Sequence, residues 1–310
     1  GHRVAMVGDG INDAPAMKAA SIGIAMYPHD GMNHGDLLKH ADRAMYAAKQ
    51  IGRNTYHFYD AAMQKEADRF VHLHNEILKG VQQGQFFLVY QPIYDVNQQV
   101  FNKCEALVRW QHPEHGAISP ASFLPLAEKT RLIIPIGNWV LDEACRQMSR
   151  WREAGHHDWS VAVNLSTIQL ASPGLLEEVE GALARHRLEA RHLTLEITES
   201  TAMENAEESL AILNRLAELG LGISIDDFGT GYSSLLYLKR MPATELKIDR
   251  AFVHDLEDNA EDAAIVSSII ALGRSLQLQI VAEGVETDGQ RQYLSDLGCD
   301  LLQGYHLGRP

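Results

Sequence analysis

Ser160–Ser166 reads SVAVNLS, and its alternation decides the fold. In an extended strand successive side chains point to opposite faces, so Val161, Val163 and Leu165 share one side while Ala162 and Asn164 share the other. Asn164 therefore opposes the greasy face. The same parity recurs outward from this stretch. LTLEIT (193–198) sets Glu196 against Leu193, Leu195 and Ile197, and ISIDDFG (223–229) sets Asp226 against Ile223 and Ile225. LKID (246–249) sets Lys247 and Asp249 against Leu246 and Ile248. QIVAEG (279–284) puts Glu283 with Val281, and KCEALVRW (103–110) puts Glu105, Leu107 and Arg109 together. With Gln303 in the last such run, seven stretches each carry one polar residue near their C-terminal end. If the apolar faces lie under helices, the polar set converges inside one sheet or barrel.

Phe86–Asp95 and Val100–Gln111 read as strands, and Pro135–Ala154 as a long amphipathic helix with Trp139, Val140, Ala144, Met148 and Trp151 at helical spacing. Strands over 160–166, 193–198, 222–228, 245–249, 279–285 and 300–305 then alternate with helices over 173–187, 204–219, 233–241, 261–277 and 288–297. This density of alternation predicts an α/β fold with a parallel sheet closed into a (β/α)8 TIM-like barrel, whose function sits at the C-terminal strand ends. A doubly wound open sheet is the structural alternative; it would leave several of the polar residues unexplained. Residues 61–82 read as a linker helix with Phe70, Leu73, Ile77 and Val81 in a narrow apolar stripe, suited to coupling modules, to a dimer seam or to packing on its own barrel. The expected division is a small incomplete α/β segment over 1–60, the linker helix over 61–82, and the barrel over 83–310.

With 310 residues, 45% of them hydrophobic, the chain can bury a full core and hold one large and one smaller domain. A formal charge of -14 argues against a DNA or RNA polymer as partner, because no basic stripe exists to release counterions. Cys104, Cys145 and Cys299 are odd in number, widely separated and lack CxxC spacing, which suggests neither a disulfide framework nor a thiolate zinc site and fits a reducing, cytoplasmic setting. No apolar run approaches the roughly 18 residues of a membrane span, so no membrane contact is expected of this stretch; an anchor elsewhere would make it the cytosolic part of a sensor. The histidines, including His112 and His115 of the turn HPEHG, read as surface residues.

Several carboxylates gathered in a partly dry interior repel one another, and each costs several kcal/mol to desolvate unless something positive neutralises it. One lysine is too little. A divalent cation is the usual remedy, and an all-oxygen set of Glu, Asp, Asn and Gln favours Mg²⁺ or Mn²⁺ over zinc. The glycines of DDFGTGYSS form no P-loop, since no GK[ST] follows, and no nucleophile elbow is present.

Eight motifs stand in order on these strand ends: YQPI (90–93), EALVRW (105–110), NLS (164–166), EITES (196–200), DDFGTGYSSL (226–235), KIDR (247–250), EGVE (283–286) and QGY (303–305). Together they resemble the EAL-domain phosphodiesterases, which linearise cyclic di-GMP, from Phe86 through Pro310. The resemblance implies hydrolysis to 5′-pGpG by in-line attack of a metal-activated water, with two Mg²⁺ or Mn²⁺ ions. It implies that Glu105, Asn164, Glu196 and Asp226 hold the first ion and that Asp227 bridges toward the second. Glu283 and Gln303 would complete the shell or bind the water, and Lys247 would position it or balance charge. Gln91, Leu107 and Arg109 would face the substrate, Glu199 would steady the DDFGTGYSS loop, and Asp249 and Glu286 would stand behind the ligands. A homodimer is the expected assembly. The family usually continues into a further helix after Pro310, so barrel closure is expected to be at risk. The alternative from another class is a catalytically silent cyclic di-GMP receptor signalling through its linker helix; a complete ligand set favours catalysis. A sugar-modifying barrel using two carboxylates is a third reading, separable by its indifference to chelators.

Residues 21–59 resemble the last part of a GGDEF diguanylate cyclase domain, without the signature itself, so no cyclase activity is expected. A helix over 35–50 and a strand over 54–59 are the most this part should form. Residues 3–20 (RVAMVGDGINDAPAMKAA) resemble the hinge segment of P-type ATPases, with Asp9 and Asp13 as the matching acids, but no DKTGT segment accompanies them.

Overall fold

Strands of the expected parity form, and their apolar faces lie under helices. In the computed structural model, residues 3–8, 21–50, 55–203, 205–229 and 235–310 are described. The chain divides into two compact units, Gly1–Glu76 and Ile77–Pro310.

In the first unit β1 (Arg3–Gly8) pairs antiparallel with β2 (Ile22–Tyr27), and β3 (Tyr56–Phe58) pairs parallel with β2. Helix His34–Gln50 buries Leu37 and Ala41 against Ala25 of β2, with Tyr27 and Tyr59 packed alongside. Within 21–59 this adds one strand, β2, to the helix and strand expected there. The cause is IGIAMY, an apolar run that hydrogen-bonds a strand on either side. Of the Asp9 and Asp13 segment, only Arg3–Gly8 lies within the described residues.

The second unit begins in helix Ala61–Gln82 and continues as a barrel of β4 (Phe86–Asp95), β5 (Val100–His112), β6 (Gly116–Ile118), β7 (Ser160–Asn164), β8 (Leu193–Thr198), β9 (Gly222–Phe228), β10 (Glu245–Ile248), β11 (Gln279–Ala282) and β12 (Leu301–Gln303). The sheet runs β4-β12-β11-β10-β9-β8-β7-β5, β4 also pairs with β5, and the ring of eight is closed, with β6 appended to β5. Closure is achieved by Pro310, against the risk expected there: Leu301, Leu302 and Gln303 pair with Asp95, Tyr94 and Ile93. Val163, Leu195, Ile197, Ile223, Ile225, Leu246, Ile248 and Ile280 are all buried. Such burial contributes about 1.5–3 kcal/mol per large aliphatic side chain. Helix Ile133–Glu153 covers part of this face with Ile136, Val140, Ala144 and Met148.

One strand departs from the parallel expectation. Only Val96–Gln99 join β4 to β5, too few for a crossover helix, so the pair must be antiparallel. Asp95 ties the turn by accepting from the Gln98 amide at 2.8 Å, and Gln99 takes φ 59. β4 is antiparallel to β12 as well, and its first residues therefore lie at the end where the other strands finish.

His112 corrects the surface reading. It is buried because its Nδ1 accepts the Glu114 and His115 amides at 3.1 and 3.2 Å, closing the hairpin between β5 and β6. The three cysteines are buried and free, and burial pushes each thiol up to about 12, leaving them unreactive. Among the described residues no helix is long and apolar enough to cross a membrane.

Gly304, directly after β12, has no room for a side chain: a methyl there would fall on the Val285 carbonyl oxygen and amide nitrogen. Backbone cannot swing aside as a side chain can. Gly304→Ala is expected to cost about 1–3 kcal/mol, the usual range for overpacking. Urea unfolding checks it; an unchanged midpoint would show that the Val285 backbone yields freely.

Candidate active site

Register sets the inward polar residues at one level of the barrel. Asn164 lies opposite Glu196, Gln91 opposite Glu105, and Thr198 opposite Asp226. At their centre is Lys247, fully buried, its Nζ 3.0 Å from Glu196 Oε2, 2.6 Å from Glu283 Oε1, 3.4 Å from Asp226 Oδ1 and 3.7 Å from Glu105 Oε2. Burial pushes the ammonium toward neutrality, but Glu196, Glu283, Glu105 and Asp226 together outweigh it and hold its pKa well above the ordinary value. Glu105 accepts from Asn164 Nδ2 at 2.6 Å and from Gln303 Nε2 at 2.6 Å. Burial raises its carboxyl, yet Lys247 and these two amides bring the net value below the ordinary one. Glu196 shows the opposite balance: burial dominates, and its pKa stands well above the carboxylate range. Gln303 also reaches Gln91 Oε1 at 3.2 Å, and Gln91 donates to the Gly308 carbonyl at 3.2 Å.

Consecutive strand residues should face opposite ways, yet Asp226 and Asp227 both line the same cavity. The backbone supplies the reason. Between the paired positions Ile225–Leu246 and Phe228–Ile248, β9 carries two residues, Asp226 and Asp227, where β10 carries one, Lys247, which is a bulge. Asp227 takes φ 54 there, a left-handed conformation that Asp tolerates better than most residues. Asp226, Asp227 and Glu283 thus bring one oxygen each within 4.8 Å of one another, a cluster able to hold a metal ion. Burial, then Asp249 and Asp226, push Asp227 up to about 6. Burial, partly opposed by Lys247, pushes Glu283 up to about 7.

The cluster opens into a cavity of about 540 Å³ whose wall includes Gln91, Leu107, Asp249, Glu286 and Tyr305. Asp249 ends β10 by capping helix Arg250–His254, accepting from Ala251 N at 2.6 Å. Arg109 and Leu107 line a second, more apolar cavity of about 790 Å³ that also touches Asn164. Glu199 accepts from the Gly229 amide at 3.1 Å, at the foot of the DDFGTGYSS loop, of which residues 230–234 lie outside the described residues.

The donors fit a hard cation. All are oxygens, one ammonium faces four carboxylates with Asp227 beside them, and the buried Oε1 of Glu196 has no hydrogen-bond partner. In this arrangement Glu105 and Asn164 hydrogen-bond each other, and Glu105, Glu196 and Asp226 face Lys247. The tight carboxylate cluster is instead Asp226, Asp227 and Glu283. One layer below, Lys103 pairs with Glu245, which also accepts from Ser224 Oγ at 2.9 Å. These residues went unremarked in the sequence, although they share the parity of Glu105, Lys247 and Asp226 and so had to face inward.

Comparison with known proteins bears on this geometry. Residues 74–310 match the EAL domain, and residues 8–55 match "Diguanylate cyclase, GGDEF domain", a match that takes in Asp9 and Asp13. The chain is 56% identical over 292 residues to "Bifunctional diguanylate cyclase/cyclic di-GMP phosphodiesterase MucR" of Pseudomonas aeruginosa, covering 94% of this chain and 43% of that protein. It is 36% identical over 292 residues to "Cyclic di-GMP phosphodiesterase PdeR" of Escherichia coli, covering 94% of this chain and 44% of that one. The chain thus spans less than half the length of these relatives. Among solved structures, "PaMucR Phosphodiesterase, c-di-GMP complex" superposes with a TM-score of 0.75 at 58% identity, over 77% of this chain and 97% of that one.

Proposed function

The chain belongs to the EAL-domain family, and from that premise we propose that it hydrolyses cyclic di-GMP to linear 5′-pGpG with the help of divalent metal. The observation that carries this reading is the convergence of Glu105, Asn164, Glu196, Asp226, Asp227, Lys247, Glu283 and Gln303 at one end of one barrel. Asp226, Asp227 and Glu283 would hold the metal, with Glu105, Glu196 and Asn164 next to them. A bound divalent cation would there screen the phosphoryl oxygens and acidify a water. Lys247 faces Glu196, Glu283, Asp226 and Glu105 and favours their ionised forms, opposing the burial that raises Glu196 and Glu283. Glu283, raised to about 7, is poised to exchange a proton near neutral pH. Gln91 and Gln303 fix the opposite wall, Leu107 and Arg109 receive the ligand on the side of the second cavity, and Asp249 and Glu286 stand behind the cluster.

Under the same reading two ions of Mg²⁺ or Mn²⁺ serve the site and the work is cytoplasmic. The exposed pair Leu235 and Leu236 on helix Leu235–Arg240 supports a homodimer. The test is incubation with cyclic di-GMP, with Mg²⁺ or Mn²⁺ or with EDTA, followed by chromatography. Linear pGpG is expected only in the metal-containing samples. Binding without any cleavage would reassign the chain as a receptor, and cleavage that survives EDTA would remove the metal from the reading.

A further inference from the structure

The acidic cavity has one basic residue in its described lining. Glu105, Asp226, Asp227, Asp249, Glu283 and Glu286 all face it, and Arg250 is the single cation on its wall. Arg250 is exposed, and among the described residues no carboxylate lies within ion-pair distance of it. Several other arginines of the barrel do pair with carboxylates: Arg146 with Glu143, Arg185 with Asp142, Arg240 with Glu207 and Arg291 with Asp288. An unpaired guanidinium in such surroundings is held by its backbone. Asp249 caps the turn from which it projects, and Gly284, at φ 72, lies so close that a methyl on it would come within 2.6 Å of Arg250 Cβ and 3.3 Å of its Cα.

Resting on the function proposed above, we propose that Arg250 is a substrate-positioning residue that holds the phosphate not being cleaved. The carboxylate cluster is buried at Asp226 and half-buried at Asp227 and Glu283, and Arg250 lies on the exposed wall of the same cavity. A ligand that engages both must carry two anionic groups, and a cyclic dinucleotide carries two phosphodiesters. The planar guanidinium suits a phosphate through two parallel N–H bonds, a geometry an ammonium cannot reproduce. Arg250 thereby favours cyclic dinucleotides over esters with a single phosphate.

The experiment compares the full chain with Arg250→Ala and Arg250→Lys on cyclic di-GMP and on bis(p-nitrophenyl) phosphate, which has one phosphate, in Mn²⁺. For Arg250→Ala the KM for cyclic di-GMP is expected to rise about 10-fold or more with kcat changed less than about threefold. The ratio of kcat/KM for cyclic di-GMP to that for the small ester should fall about 10-fold or more, with partial recovery in Arg250→Lys. An unchanged ratio, or a loss confined to kcat, overturns the proposal; a shifted melting transition in Arg250→Ala is controlled by the Lys variant. A wild-type chain that leaves cyclic di-GMP uncut overturns the function itself, and that outcome is read before any variant.

Discussion

Lys247→Met will destabilise the metal-free barrel by about 3–5 kcal/mol at neutral pH, the range found when one member of a buried charge network is removed. The side chains are close in size, so little of the loss comes from packing. It comes from Glu196, Glu283, Asp226 and Glu105, which keep their desolvation cost and lose the ammonium 2.6–3.7 Å away. Excess Mn²⁺ will restore part of the stability, because a cation binding the folded state alone adds to it by mass action. Replacing Glu196 by Leu in the same variant will also recover part of it, since that removes the most deeply buried acid. Urea unfolding with EDTA and with Mn²⁺ reads all three. Equal stability of Lys247→Met and wild type in EDTA would mean that the ammonium does not neutralise this interior.

The second large effect falls on turnover. Asp226→Ala removes the inward acid of the bulge and one of the three oxygens of the cluster, while Asp226 lies near the cavity floor and little packing depends on it. A fall of roughly 10³-fold or more in kcat is expected, equivalent to about 4 kcal/mol of transition-state stabilisation. Glu105→Ala should behave alike, because Asn164 and Gln303 both lose their acceptor. Cooperative unfolding should persist in both. Near-wild-type rates in either variant would refute the assignment of that residue to the site.

Strand parity made much of this site legible beforehand. Glu105, Asn164, Glu196, Lys247 and Gln303 were readable because a period of two leaves a side chain only two faces, and the apolar neighbours claimed one. The ring was readable from repetition. What parity could not disclose was anything that breaks it: the bulge that turns Asp227 to the side of Asp226, or the direction of β4, which a four-residue turn decides. The turn HPEHG is legible, but the burial of His112 is not, because it depends on the imidazole accepting two amides inside that turn. Arg250 stands in the motif KIDR, yet its lack of a counter-ion is a property of three-dimensional surroundings.

The reversed β4 has a consequence for how such a module can be wired. In a uniformly parallel ring the incoming polypeptide starts at the pole remote from the ligand and leaves beside it. Here Phe86 begins, and Gly304–Gly308 departs, at the same pole, and Gln91 bonds the outgoing segment directly. Within this unit the start of β4 and the segment after β12 therefore both flank the mouth. Occupancy of the mouth can bear on both segments directly, through Gln91 and Gln303, without any relay through the interior.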